Sequence, residues 1–153
     1  MHMLETKVPP PLIALALALG MWLLAPASSA LELSLAVRIA LATLLASVGT
    51  GLGIAGLISF RRARTTVNPL RPERTSTLVA TGIYRFTRNP MYLGMLVGLL
   101  SVAAYLASPW TLIGPAVFFA YMNRWQITPE ESVLEAKFGT SYLEDKRRVR
   151  RWI

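Results

Sequence analysis

Three long uncharged stretches constrain this chain more than any other feature: Val8 to Leu31, Ile39 to Phe60 and Asn89 to Asn123. Roughly 20 apolar residues cross the hydrocarbon core of a bilayer as a helix, so the first two, at 24 and 22 residues, suffice for one span each. The third has 35 residues. As a single helix rising about 1.5 Å per residue it would run past ~50 Å, against a core of roughly 30 Å. It has to fold back on itself. Ser108-Pro109 supplies the break, because proline disfavours helix in the residue before it and suits the first turn of a new helix. The pattern predicts a helical hairpin, Met91 to Ala107 and Pro109 to about Trp125. The fold class expected is an all-α integral membrane protein of about four transmembrane helices, the last two as that hairpin, followed by cytoplasmic C-terminal helices. The arms are short, so a shallow or re-entrant hairpin stays open.

Composition agrees. The chain is 54% hydrophobic and 16% charged over 153 residues, a balance that suits a bilayer as solvent. The net charge of +8 is carried in blocks between uncharged stretches, which favours a membrane surface over nucleic acid as the basic partner. The absence of cysteine excludes disulfides, Cys-ligated zinc and thiol nucleophiles. The single histidine, His2, lies at the start of the chain. That leaves no imidazole on a rigid scaffold for a metal site or a Ser-His-Asp triad.

Arg61 to Pro90 carries seven arginines against one acid, Glu73, and the chain after Asn123 adds seven more basic residues. Both flank the hairpin and share one side, which the positive-inside rule makes cytoplasmic; Ala25 to Ser34, with no Lys or Arg, faces out. The chain then divides into residues 1–60, two N-terminal membrane helices, and residues 61–153, a loop, the hairpin and C-terminal helices forming one core. Both termini are expected in the cytoplasm, and the membrane is expected to be a prokaryotic inner membrane. Lys7, the apolar run Leu12 to Leu24 and Ser28-Ser29-Ala30 also resemble a cleavable signal peptide. Pro9-Pro10-Pro11 and the later spans favour a retained helix.

Gly51, Gly53 and Gly56 match the spacing of a dinucleotide fingerprint, yet they lie inside an apolar span without a preceding strand. Close helix packing is the better account, with Gly49 and Gly53, and Gly94 and Gly98, as small-residue contacts. Asn89-Pro90 suits a helix start, and Arg85 and Arg88 beside it suit snorkelling to lipid phosphates. Thr128 and Glu131 have the spacing of a capping box around Pro129, which gives Glu131 a structural reason and leaves Glu130 without one. Gly139 is placed to end that helix, and Ser141 with Glu144 to box the next. Arg147, Arg148, Arg150 and Arg151 near Trp152 read as an anchor on the lipid surface.

The two motif-bearing segments flank the hairpin and become neighbours at one membrane face. Arg88-Asn89-Pro90-Met91-Tyr92-Leu93-Gly94, then Glu130-Glu131-Ser132-Val133-Leu134 and Phe138-Gly139-Thr140-Ser141-Tyr142, closing on Arg148-Val149-Arg150-Arg151-Trp152, resemble the isoprenylcysteine carboxyl methyltransferase family and the related phospholipid methyltransferases. The resemblance covers about Ser76 to Trp152. It implies transfer of a methyl group from S-adenosyl-L-methionine, leaving S-adenosyl-L-homocysteine, to a lipid-borne or prenylated acceptor at the cytoplasmic face. The partners implied are the bilayer and a lipophilic acceptor; no metal is called for.

By the same similarity Ser76, Thr77, Leu78, Val79 and Tyr84 would line the cofactor, Asn89, Pro90, Met91 and Tyr92 would form the motif at the hairpin start, and Glu130 would hold the cofactor. Arg88 and Glu130 would position the reacting groups. Aromatic faces at Tyr84 and Tyr92 suit a sulfonium cation, and a carboxylate at Glu130 suits an amine or hydroxyl. An already activated methyl needs alignment and exclusion of water more than a base, which tilts the acceptor towards a carboxylate. Three residues depart from the family pattern: Asn89 stands for a histidine, Gln126 for a substrate-contacting arginine, and Asp145 for an aromatic after Tyr142. Arg124 or Arg88 would have to supply the charge that Gln126 lacks, so Gln126 and Arg124 are the substrate candidates. The competing account is a non-enzymatic membrane anchor, assembly factor or transporter subunit, in which Glu130→Ala and Tyr92→Ala would leave function unchanged.

Overall fold

The computed structural model describes residues 8–25, 31–63 and 78–153. All regular structure among them is helical. Helix α1 spans Pro10–Leu24, α2 Leu35–Arg62, α3 Pro90–Leu106, α4 Ile113–Tyr121, α5 Thr128–Phe138 and α6 Thr140–Arg148. Short 3₁₀ turns lie at Gly82–Arg85 and Pro109–Leu112, and a π-helical segment, Met122–Ile127, joins α4 to α5 without a break. Ser76 and Thr77, the residues Ser28 to Ala30 and most of the basic loop lie outside the described residues.

α2, at 28 residues, is long and apolar enough to cross a membrane; α1 and α3 are apolar but shorter. Large apolar side chains such as Leu15, Leu24 and Leu44 point outward. The core runs along α3, where Tyr92, Leu99 and Ala103 meet Met21 of α1 and Phe118, Met122 and Ile127 of the later helices.

The closest seam is α2 against α3, and it is made by glycine. A Cβ at Gly49 would stand 2.7 Å from the Gly94 carbonyl oxygen, and one at Gly94 would stand 2.6 Å from that of Gly49. Any side chain at either position would force the two backbones apart. Gly49 and Gly56 of α2 are therefore a packing surface against α3, as small residues in apolar helix pairs are, whereas Gly51 is exposed and a Cβ at Gly53 would meet nothing. Ser101 Oγ adds a crosslink, donating to the Ala42 carbonyl at 2.8 Å.

The break expected at Ser108-Pro109 is present. α3 stops at Leu106, Ala107 takes the left-handed conformation with φ 50°, and Ser108 is extended before the proline. The expected stop near Trp125 is absent, because the chain winds on as a π-helix. Pro129 explains the form of this passage: in regular α register its ring would collide with the carbonyl four residues back, and one wider turn relieves that collision. Thr128 is consequently inside the helix and forms no capping box. Its hydroxyl donates instead to the Asn123 carbonyl at 2.6 Å. Gly139 does end α5, with φ 52°. The Ser141–Glu144 box is not formed, since α6 begins at Thr140 without a side-chain cap.

Candidate active site

The start of α3 and the start of α5 meet around a cavity of about 220 Å³. The segment before α3 is positioned by Gly82, whose φ of 64° lets the chain turn against Ser59 near the end of α2. That contact brings Tyr84 edge-on to Phe60, with ring centroids 5.4 Å apart. Leu78, Val79, Tyr84, Arg88, Asn89, Met91, Tyr92 and Glu130, all candidates from the sequence, line the cavity together. Pro90 is buried at the first turn of α3, beside Gly56.

Glu130 and Tyr92 form the polar contact of the wall. The Tyr92 hydroxyl donates to Glu130 Oε2 at 3.1 Å and accepts from Gln126 Nε2 at 3.4 Å. Gln126 is thus buried behind Tyr92 and does not line the cavity; Arg124 is exposed and does not line it either. Burial pushes the Glu130 carboxyl up to about 7, opposed by the hydrogen bond from Tyr92 and reinforced by the neighbouring charge of Glu131. Burial, with the charge of Glu130 adding to it, also holds the Tyr84 hydroxyl well above the ordinary tyrosine range. Tyr84 is therefore a neutral donor at physiological pH.

Glu131, one residue on, has a different environment. It faces Arg88 Nη1 at 3.0 Å and receives both arms of Arg151, Nε at 3.0 Å and Nη2 at 2.7 Å, with Lys146 Nζ at 3.9 Å. Arg88 also donates from Nη1 to the Tyr142 hydroxyl at 3.1 Å. Burial and the charge of Glu131 raise Tyr142 to about 12, with Arg88 pulling the other way.

The C-terminal segment closes this knot. Arg88 N–H donates to the Arg150 carbonyl at 3.1 Å, and Asn89 Nδ2 to the Arg151 carbonyl at 2.9 Å. Arg151 Nη1 and Trp152 Nε1 both donate to Asn123 Oδ1, at 3.1 and 3.2 Å.

These contacts correct four expectations. Asn89 precedes α3 but does not cap it with its side chain, which is committed to the tail. Arg88 does not snorkel, because Glu131 and Tyr142 hold it inside. Glu131 has an ionic role in place of a capping one. Arg151 and Trp152 turn inward, leaving Arg147, Arg148 and Arg150 as the exposed arginines of that run. The sequence reading also missed Phe60, Tyr142 and Asp145 as cavity residues. Tyr142 stood in one of the motif segments and Asp145 as a departure from the family pattern, whereas Phe60 gave no signal beyond ending an apolar span.

A helical protein with a cavity walled by aromatic rings and by the raised carboxyls of Glu130 and Asp145, beside an apolar helix bundle, is suited to binding a partly cationic small molecule. The comparisons define the class further. The phospholipid methyltransferase family model matches residues 37–141, well over half of the chain. The chain belongs to this family.

Among its relatives is an uncharacterized protein of Haemophilus influenzae, 40% identical over 63 residues, which are 41% of this chain and all of that protein. Protein-S-isoprenylcysteine O-methyltransferase B of Arabidopsis thaliana is 30% identical over 102 residues, 67% of this chain and 52% of the relative. Protein-S-isoprenylcysteine O-methyltransferase of Xenopus laevis is 33% identical over 73 residues, 48% of this chain and 25% of the relative. The chain thus spans about half the length of the Arabidopsis enzyme. No solved structure matches it.

Proposed function

We propose that this chain is an S-adenosylmethionine-dependent methyltransferase of the membrane, acting at the cytoplasmic face on a lipid-borne or prenylated acceptor, with a carboxylate as the favoured nucleophile. The observation that carries this reading is the convergence of the Arg88–Tyr92 and Glu130–Glu131 segments on one cavity in a chain of this family. The Arabidopsis and Xenopus relatives are named for O-methylation of an isoprenylcysteine, an oxygen acceptor on a lipid carrier, and the family description names phospholipids.

The residues present fit the cofactor. Glu130 offers a carboxylate to an amine or hydroxyl, and Tyr84 and Tyr92 offer ring surfaces to a positive centre. When bound, the cofactor supplies a methyl group already activated on a sulfonium. The chain then has to orient, enclose and exclude water. Tyr92 fixes Glu130 through one hydrogen bond and is itself steadied by Gln126. Arg88 cannot act as a base, and its tie to Glu131 fixes the guanidinium at the cavity wall. Alignment at near-attack distance is worth several orders of magnitude in rate without any proton transfer.

The membrane setting rests on α2, which is long and apolar enough to span, and on the outward apolar side chains of α1 and α2; α1, and α3 with the helices after it as a hairpin, would bring the spans to four. Residues 1–60 would then be two membrane helices and residues 61–153 the methyltransferase core, with both termini in the cytoplasm of a prokaryotic cell. Incubating the purified protein with methyl-labelled cofactor and a total membrane lipid extract tests this proposal. Label is expected in a lipid-soluble product, as a base-labile ester if the acceptor is a carboxylate. Protein that stays folded and labels nothing contradicts it.

A further inference from the structure

Two polar atoms of cavity-lining residues have no partner: Arg88 Nε and Asp145 Oδ1. The contacts of the Arg88 guanidinium with Tyr142 and Glu131 run through Nη1 and leave Nε unused. Asp145, on α6, is only 6% exposed. Burial raises its carboxyl above the ordinary range, with Arg148 and then Arg88 opposing. Buried polar atoms without partners are costly and uncommon in folded proteins. An apolar or aromatic residue at 145 would fill the same place without that cost. The helix thus retains a charged group where packing alone would favour an uncharged one.

Resting on the methyltransferase reading, we propose that Arg88 and Asp145 form the subsite for the amino-acid end of the cofactor, Arg88 Nε donating to its α-carboxylate and Asp145 Oδ1 accepting from its α-ammonium. The two unpaired atoms are one cationic donor and one anionic acceptor, the complement of a group that carries both charges one carbon apart. A phosphate would meet the like charge of Asp145. A simple ammonium would meet that of Arg88. A zwitterion satisfies both at once, and each contact is a charge-assisted hydrogen bond shielded from water. The Glu130–Tyr92 wall is then left to the rest of the ligand.

The test compares S-adenosylhomocysteine with 5′-methylthioadenosine, which keeps the nucleoside and thioether but lacks the amino acid. Dissociation constants are measured on the full chain in nanodiscs for the wild type, Asp145→Asn and Asp145→Phe. Both variants are expected to lose about tenfold or more in affinity for S-adenosylhomocysteine, while their affinity for methylthioadenosine moves by less than about twofold, which also reports that they are folded. An analogue of S-adenosylhomocysteine without the α-amine makes the same test on the unaltered protein and should bind more weakly by a similar factor. The subsite is overturned if the ratio of the two affinities is the same in wild type and variants, or if the deaminated analogue binds as tightly as its parent. If neither nucleoside binds the folded wild type, the methyltransferase reading fails and the subsite with it. Binding of both with an unchanged ratio removes the subsite alone.

Discussion

Glu130 and Glu131 are consecutive, yet the regions they serve are built on opposite terms. Around Glu131 one carboxylate is saturated by Arg88, Arg151 and Lys146, so its conformation is fixed. Around Glu130 the protein gives a buried carboxylate a single donor, Tyr92, and leaves it short of positive charge. The first carboxylate has its partners without a ligand. The second has only Tyr92, and an incoming cation or donor would complete it. On the proposed reading stability and recognition fall to adjacent residues, with Tyr92 and Arg88 arriving from the same end of α3.

Removing each carboxylate in turn should separate the two regions. The largest effect is expected for Glu131→Ala, which leaves Arg88 buried and unpaired and frees the tail. Breaking a buried ion pair costs about 3 to 5 kcal/mol. The lower end applies here, because Arg151 is 32% exposed and recovers water. Thermal unfolding in nanodiscs should show that loss, and a change of less than about 1 kcal/mol would break the comparison.

Glu130→Gln should behave differently, and with a pH signature. Between pH 4.5 and about 7 the folded protein keeps a proton on Glu130 that the unfolded chain has released. Stability supplied by that proton is fully present below the lower value, falls as pH rises through the window and levels off above about 7. The variant should lack this slope, so that it gains relative to wild type as pH rises. A wild type whose stability increases across the same window relative to Glu130→Gln would contradict the elevated carboxyl. The smallest effect is expected for Tyr92→Phe, which removes one hydrogen bond to Glu130 and one from Gln126 for a loss of about 1 kcal/mol. Because that bond favours the ionised carboxylate, the midpoint of the pH dependence should move upward in the variant.

How far the sequence foretold these regions depends on the range of the interactions. The break after Ala107 was legible because a 35-residue apolar stretch and Ser108-Pro109 are local signals. The packing role of Gly49 and Gly94 was legible because small residues at helical spacing have few other uses in an apolar helix. The meeting of Tyr92 with Glu130 followed from the expected hairpin and from the family resemblance. The knot was not legible. Glu131, Asn89 and Arg151 each carried a sufficient local explanation as cap, cap and lipid anchor, and only the tail's path across the start of α3 replaces those explanations. The π-helical passage was equally hidden, because Thr128-Pro129 reads as a helix start unless the preceding turn is known to widen.

Binding of S-adenosylhomocysteine to the purified chain in nanodiscs at pH 8, where Glu130 is ionised, tests the division between the two glutamates most directly. Saturable binding to the wild type, weakened about tenfold or more by Glu130→Gln in protein that keeps its unfolding transition, is the predicted result. Folded wild-type protein that shows no saturable binding, or binding indifferent to Glu130→Gln, would contradict it.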